Sequence, residues 1–421
     1  MRYLTVDKTK RKLFYGEKPF FYLADTAWEL IHRLTKEEAA TYFSVRKKQG
    51  FTVIHTVILA EQDGLNTPNA QGHTPLVRFD EETVTLDAGY FAHLDELVGM
   101  AERQGLFLGL LPTWGDKFNQ KWGTGPEIFT PRSAADYAQK LVDRYREKAN
   151  ILWILGGDRP LETERHTAIA DAMGTVLKAG MPKNLISFHP NGSHSSADFV
   201  PHRDYIDFHM TQSGHGLDFA RKPQILLARC KAEQKPFIDG ESRYEDHPIC
   251  WKPAYGYWDD GDVRADNCIN VLSGAFGVVY GHHAVWQCNT ASAPMCGKTW
   301  REAIFAPGAE QLRFLKDLML SRDFSALTPS PDFAAAAYVD DDSEKLSLVS
   351  ATGKSYAYVY ARHGLAFYAN CQMLDAKEIS ACWFDPKSGE YVGKKGIYRA
   401  ERTLFVPPGG GLLLVVDAVL R

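Results

Sequence analysis

Ile151-Leu152-Trp153-Ile154-Leu155-Gly156-Gly157-Asp158-Arg159-Pro160 is an apolar run that stops at two glycines and a carboxylate. A short run of large apolar residues between helical patterns reads as a strand buried on both faces, as in a parallel sheet. Paired glycines let the backbone turn tightly where the strand ends. A second segment repeats the design: Pro236-Phe237-Ile238 leads through Asp239-Gly240 to Glu241-Ser242-Arg243.

Similar runs recur along the chain. Phe20–Ala24, Phe51–Leu59, Leu106–Leu111, Ile151–Leu155, Leu185–Phe188, Tyr205–Met210, Pro236–Ile238 and Val278–Trp286 are strand candidates. Helical patterns separate most of them: Thr35–Gln49, a stretch from Asp87 through Gln104, Ser133–Lys148, Glu164–Ala179, Asp218–Ala232 and Arg264–Ser273. Thr35 with Glu38 three residues on is a capping signature. Eight alternating strand–helix units predict an α/β fold, a (β/α)8 TIM barrel, in preference to a doubly wound open sheet. Polar residues gather at strand ends around the whole series, whereas an open sheet would concentrate them at one switch point.

Beyond about Ser321 the texture changes to short β-rich runs: Ala334–Val339, Leu346–Ser350, Ala357–Tyr360, Leu365–Tyr368, Ile379–Phe384, Gly389–Val392, Thr403–Val406 and Leu412–Val416. Turns such as Asp340-Asp341-Asp342 and Pro407-Pro408-Gly409-Gly410-Gly411 punctuate them, predicting a small all-β sandwich. The expected organisation is an N-terminal hairpin over residues 1–19, the barrel over 20–322 and the sandwich over 323–421.

The 421 residues are 45% apolar and 24% charged with net charge −4, ordinary for a globular chain and no basis for expecting nucleic acid. The one basic cluster, Lys8–Arg11, reads as a solvated hairpin face. No uninterrupted apolar run is long enough to span a membrane, and the N-terminus lacks a signal-like stretch, so a cytoplasmic location is expected. Seven cysteines without a C-x-x-C pair argue against a disulfide framework and a thiolate zinc site. No cofactor motif occurs, and a homo-oligomer is left open.

In a barrel, residues just past the C-terminal strand ends line one mouth. Asp158 and Glu241 would therefore face each other across a pocket. Two opposed carboxyl groups suit cleavage of a glycosidic bond, one protonating the leaving oxygen and the other attacking or activating water. Around them the strand ends supply Asp25 and Trp28, His55, Trp114, His189, His209 and Gln212, Arg243 and Tyr244, and His282, His283 and Trp286. Indoles stack on sugar faces, and His, Gln and Asp can bond hydroxyls, so these are candidate carbohydrate-binding residues. Strand alternation puts Asp239 on the same side as Glu241 but deeper, with Arg243 or Tyr244 orienting Glu241. A metal-dependent hydrolase is disfavoured: no H-x-H pattern ends the first strand, and adjacent His282 and His283 would point to opposite faces.

Asp25-Thr26-Ala27-Trp28-Glu29, Gly156-Gly157-Asp158, His209-Met210-Thr211-Gln212-Ser213-Gly214-His215, Asp239-Gly240-Glu241-Ser242-Arg243-Tyr244-Glu245 and Tyr280-Gly281-His282-His283-Ala284-Val285-Trp286-Gln287 resemble the apiosidase-like glycoside hydrolases, glycoside hydrolase family 140. The likeness runs in matching order over about residues 15–320. The tail, with Trp383-Phe384-Asp385-Pro386-Lys387-Ser388-Gly389, is similar to the collagen-binding-type β-sandwich that often follows this barrel. The resemblance implies a retaining hydrolase with its acid/base and nucleophile after strands four and seven, here Asp158 and Glu241. It also implies release of the branched furanose apiose from pectic side chains. Substrate choice also depends on loops such as Glu61–Pro75 and Gly115–Gly125. Another pentoside such as an arabinofuranoside, or a non-catalytic carbohydrate-binding barrel, are the alternative readings.

Overall fold

A computed structural model of the chain describes residues 1–9, 11–217, 228, 231–232, 234–338 and 348–419. The expected helix Asp218–Ala232 and the Asp340–Asp342 turn lie almost wholly outside the described residues.

Eight strands in two parallel groups organise the first three quarters: β1 (Tyr22–Thr26), β2 (Val53–Leu59), β3 (Phe107–Thr113), β4 (Ile151–Gly156), β5 (Ile186–His189), β6 (His209–Gln212), β7 (Phe237–Asp239) and β8 (Gly277–Tyr280). Six form one curled parallel sheet in the order β5-β4-β3-β2-β1-β8, and β6 and β7 form a second parallel pair. Main-chain bonds cross both gaps, Asp207 N to Ile186 O at 2.8 Å and Phe276 N to Phe237 O at 3.2 Å. Three short antiparallel strands, Leu4–Val6, Leu13–Tyr15 and Lys18–Phe20, precede the sheet.

Alternation within the strands explains why both sheet faces are apolar. Val53, Val57, Phe107, Leu111, Leu152, Ile154, Met210, Ile238 and Val279 fill the concave side. Ile54, Ile58, Leu108, Leu110, Trp153 and Leu155 face the helices. Those helices are α1 (Lys36–Lys48), α2 (Ala88–Arg103), α3 (Pro131–Tyr145), α4 (Glu164–Gly180), α5 (Asp260–Leu272) and α6 (Pro307–Leu320). Thr35 caps α1 as expected, accepting from Glu38 N while the Glu38 carboxylate accepts from Thr35 N. Helix α3 starts earlier than expected. Thr130 is its cap, and Ser133 is the reciprocal partner three residues on, with Pro131 at the first helical position, where no N–H is needed.

The last expected strand is shorter than its apolar pattern suggests. β8 ends at Tyr280, and His283–Trp286 is one helical turn capped by the His282 side chain. His282 and His283 are therefore not alternate positions of a strand.

The C-terminal part is all-β. Strands β9 (Thr328–Pro329), β10 (Ala334–Ala336), β11 (Leu348–Thr352), β12 (Tyr356–Ala361), β13 (Phe367–Asn370), β14 (Glu378–Asp385), β15 (Glu390–Arg399), β16 (Arg402–Phe405) and β17 (Leu412–Ala418) make two sheets, β9-β11-β12-β17-β14-β15 and β10-β13-β16. Ala357, Val359, Phe367, Phe405, Leu414 and Val416 pack between them. On the outer face of the larger sheet, Tyr356, Tyr358, Tyr360 and Val415 join one core with Leu312, Leu315 and Leu318 of α6 and Cys268 and Leu272 of α5. Period-two alternation along β12 thus feeds two cores at once. The tyrosine rings bury large apolar areas, worth about 25 cal/mol per Å² before the cost of ordering them.

Candidate active site

The loops after the parallel strands build a cleft of two adjoining lobes, of ≈ 510 and ≈ 520 Å³. Trp122, Asp158, His215, Glu241 and Trp251 line both lobes, which places the two carboxylates where the lobes meet. Trp28, Glu61, Gln62, Trp114, His283 and Trp286 complete the first lobe, and Asn191, Gln212 and Ser213 border the second.

Asp158 is raised into the cleft by three successive residues of positive φ, Gly156 (+87°), Gly157 (+105°) and Asp158 (+57°). The glycines are required by close approach as well as by φ. A Cβ at Gly156 would lie 2.3 Å from the His189 carbonyl, and one at Gly157 would lie 2.6 Å from Gly115 N. Asp is among the side chains that tolerate the left-handed region. Asp158 Oδ2 accepts hydrogen bonds from Trp122 Nε1 at 3.1 Å and Arg159 Nη1 at 3.0 Å. Burial, and then the negative charge of Glu241, push its carboxyl above the usual range, against the opposing pull of Arg159 and His189.

Glu241 sits two residues beyond β7. His215 Nε2 lies 3.0 Å from its Oε1, and His189 Nε2 lies 3.2 Å from its Oε2. Burial alone would raise this carboxyl, but the two imidazoles outweigh it and hold the group down at about 2. The two acids are driven in opposite directions, and that split lets one carboxyl carry a proton while its neighbour stays ionised.

Aromatic rings form the floor. Trp28 packs on Trp114 with ring centroids 5.2 Å apart, and edge-on to His189 at 5.3 Å. Trp28 Nε1 donates to Tyr244 Oη at 3.1 Å, fixing Tyr244 beside Glu241. His215 stacks on His247 at 4.1 Å.

Trp28, Trp114, Gln212, Tyr244 and Trp286 all line the cleft, and His189 touches it through Glu241. Five other candidates point elsewhere. Asp25 lies within β1, because the strand begins two residues later than the apolar pattern suggests. Its carboxylate is buried against Arg46 (2.6 Å) and Tyr42 of α1. His55 faces the concave side but lies beneath the floor, bonded to Tyr22 Oη at 2.7 Å and covered by Trp28. His209 precedes the inward-facing Met210, so it faces outward to Ser196 Oγ at 2.7 Å. Arg243 is drawn to Asp262 (2.8 Å) and Asp266 of α5 and lies 4.6 Å from the centre of the Trp258 ring. His282 caps the turn after β8 and meets Asp246 at 3.1 Å.

Asp239 also departs from expectation. β7 ends there, so its side chain follows the outward phase of Phe237 and accepts bonds from Ser213 and from Asn270 of α5. Burial pushes it up to about 6. Conversely, Glu61, Gln62 and Trp122 reach the cleft without having been singled out as site residues; they arrive on the loops after β2 and β3, which carry no periodic signal. His283, expected at the rim, lines the first lobe from the helical turn after β8 instead of from a strand. Among the described residues, no group of three or more His, Cys, Asp or Glu side chains is arranged to hold a metal ion.

The family described as "Apiosidase-like, catalytic domain" matches residues 7–326. The chain belongs to the apiosidase-like family. A second family, described as "Putative collagen-binding domain of a collagenase", matches residues 335–417, over the sandwich. A crystal structure of a glycoside hydrolase family 5 protein from Bacteroides vulgatus is 26% identical, with a TM-score of 0.87, covering 99% of this chain and 93% of that one. A further structure, titled a glycoside hydrolase, is also 26% identical, with a TM-score of 0.87 and coverage of 99% and 97%. A structure of a mutant of a glycoside hydrolase family 5 mannosidase from Rhizomucor miehei, 11% identical over 76% of this chain and 98% of its own, shares the fold with a TM-score of 0.53. Among curated proteins none matches. This apiosidase-like chain is a glycosidase, and a carbohydrate is its substrate. No helix among the described residues is long and apolar enough to cross a membrane.

Proposed function

We propose that the chain is a retaining glycosidase that releases apiose or a related furanose from plant pectic oligosaccharides, with Asp158 as acid/base and Glu241 as nucleophile. The observation that carries this reading is the placement of two carboxyls where the two lobes of one cleft meet, Asp158 held by Trp122 and Arg159 and Glu241 by His215, in surroundings that push the first up and the second down. In the first step a Glu241 oxygen bonds to the anomeric carbon, the glycosidic C–O bond breaks, and the Asp158 proton passes to the departing oxygen. In the second, Asp158 takes a proton from water, whose oxygen displaces Glu241 from the sugar. Membership of the apiosidase-like family supports the choice of sugar, and a tryptophan-lined lobe beside the acids suits a single glycone unit.

The fold reading that goes with it is a closed eight-stranded ring over residues 20–322, with the 1–19 hairpin before it and the 323–421 sandwich after it. The main-chain bonds across both gaps between the two parallel sheets support closure.

Turnover of aryl and pectic apiofuranosides by wild type, Asp158→Asn and Glu241→Gln is the test, with the first-formed anomer followed by NMR. D158N is expected to lose about 10²–10⁴-fold on substrates with poor leaving groups, and E241Q more, with both variants folded. Retained activity in both overturns the assignment, an inverted first product overturns retention, and preference for an arabinofuranoside overturns the sugar.

A further inference from the structure

Arg159 holds two carboxylates of the cleft at once. Its Nη1 lies 3.0 Å from Asp158 Oδ2 and 2.8 Å from the Asp158 carbonyl, and its Nη2 lies 2.7 Å from Glu61 Oε1. The side chain is fully buried. Its guanidinium sits 4.5 Å from the centre of the Trp122 ring. The loop after β3 closes the remaining space. A Cβ at Gly123 would come within 2.6 Å of Nη2, and one at Gly115 within 2.7 Å of Arg159 Cβ. The guanidinium is thereby fixed between a carboxylate from the β2 loop and one from the β4 loop.

We propose that Glu61 is a positioning residue for Asp158, acting through Arg159 by taking up part of its countercharge. This rests on Asp158 being the proton donor. An Arg given wholly to one carboxylate favours its ionised form, which is the wrong form for a donor. Sharing that cation between Glu61 and Asp158 weakens the effect and holds Asp158 in place at the same time. The other charged groups around the pair are known. Glu241 and His189 face Asp158 from β7 and β5. Asp116, on the turn after β3, faces Glu61 and is itself paired with Lys117 at 2.7 Å. Burial works to raise the Glu61 carboxyl, and Arg159, 2.7 Å away, opposes it by favouring the ionised form, which is the form that shares the cation. Glu61 and Asp158 are thus two buried carboxyls competing for one cation.

Glu61 also lines the first lobe, so the experiment must separate positioning from sugar contact. The carboxyl of Asp158 is followed by 13C NMR in protein carrying carboxyl-labelled aspartate, its signal assigned by its loss in D158N. Wild type, Glu61→Gln and Glu61→Asp are titrated without substrate. E61Q is expected to lower the Asp158 midpoint by about one pH unit, and E61D, whose shorter carboxylate keeps the charge but reaches Arg159 less well, by less. An unchanged or raised midpoint in whichever variant folds overturns the proposal, as does a change confined to KM for an aryl apiofuranoside. The underlying reading is checked separately with D158N on phenyl and 2,4-dinitrophenyl furanosides. Loss on the first with retention on the second supports Asp158 as donor. Equal, wild-type rates on both would remove that reading, whereas an unmoved midpoint with D158N impaired removes only the role of Glu61.

Discussion

His215 sets its Nε2 3.0 Å from Oε1 of Glu241 while its ring lies against His247 at 4.1 Å. The stacked ring cannot turn without losing that contact, so the geometry around Glu241 is fixed before any sugar arrives. His189, packed edge-on to Trp28, lies 3.2 Å from the other oxygen but makes no directed hydrogen bond to it. The carboxylate is kept ionised by neighbours whose own positions come from the aromatic floor.

Replacing His215 by Ala should therefore raise the Glu241 carboxyl from about 2 toward its ordinary 4.5. With Glu241 as the proposed nucleophile, acting in its ionised form, the acid limb of kcat/KM should move to higher pH, by about one unit, while the alkaline limb stays. Stability should respond with the same sign. A carboxyl depressed in the folded state stabilises the fold above its unfolded value and loses that contribution as pH falls from 4.5 toward 2. H215A should accordingly show a smaller loss of stability over that interval than wild type, read by urea unfolding at successive pH values.

Trp122 tests the other acid. Its indole is 59% exposed yet donates to Asp158 Oδ2, which helps hold that carboxyl down. Trp122→Phe removes the donor but keeps a ring beside Arg159. The Asp158 carboxyl should rise, so the alkaline limb of kcat/KM moves to higher pH, opposite to the effect expected for E61Q. A net hydrogen-bond contribution of about 1 kcal/mol implies roughly a fivefold change in kcat/KM at pH 7. A limb that moves down, or not at all, would remove Trp122 from the description of the acid.

The residues that were legible in the chain were those whose backbone context is local. Asp158 and Glu241 stand just past apolar runs, and Gly156-Gly157 announce the turn between strand and acid. Trp28, Trp114 and Trp286 follow strands closely enough that even a boundary error of two residues leaves them on the rim. Asp25 and His282 were misplaced because a misjudged strand end puts a rim residue inside the strand or turns a strand residue into a helical cap, and His209 because alternation along β6 turns it away from the cleft. Arg243 was misplaced for a different reason. Its partners Asp262 and Asp266 lie on the following helix, and sequence spacing gives no sign that they outcompete the cleft. Glu61 and Trp122 arrive on aperiodic loops, where position is set by tertiary contacts such as those of Arg159.

Asp25 should prove structural. With Arg46 and Tyr42 it forms a buried cluster between β1 and α1, and Arg46 also donates to the Ile304 carbonyl at 2.8 Å. Asp25→Ala leaves the guanidinium without its carboxylate in an apolar layer, a change that costs about 3–5 kcal/mol. Denaturant unfolding should show that loss, while kcat per folded molecule stays close to wild type. A large fall in kcat without loss of stability would return Asp25 to the cleft.

Tyr358 joins the two parts of the chain. Its ring lies in the core shared with α5 and α6, and its hydroxyl donates to the Leu318 carbonyl at 3.0 Å. Tyr358→Phe keeps the ring and loses the bond to Leu318 and the longer one accepted from Arg322 Nη1 at 3.4 Å, so about 1–2 kcal/mol is expected. Tyr358→Ala empties the site and should cost about 3–5 kcal/mol. Because the core is continuous from Leu312 to Val415, the parallel sheet and the sandwich should melt together in wild type, in one calorimetric transition. In Y358A the coupling weakens, and the sandwich should melt first. Two separated transitions already present in wild type would mean that this shared core contributes little to holding the parts together, and the tyrosine ladder of β12 would then be a surface covered rather than an interface that binds.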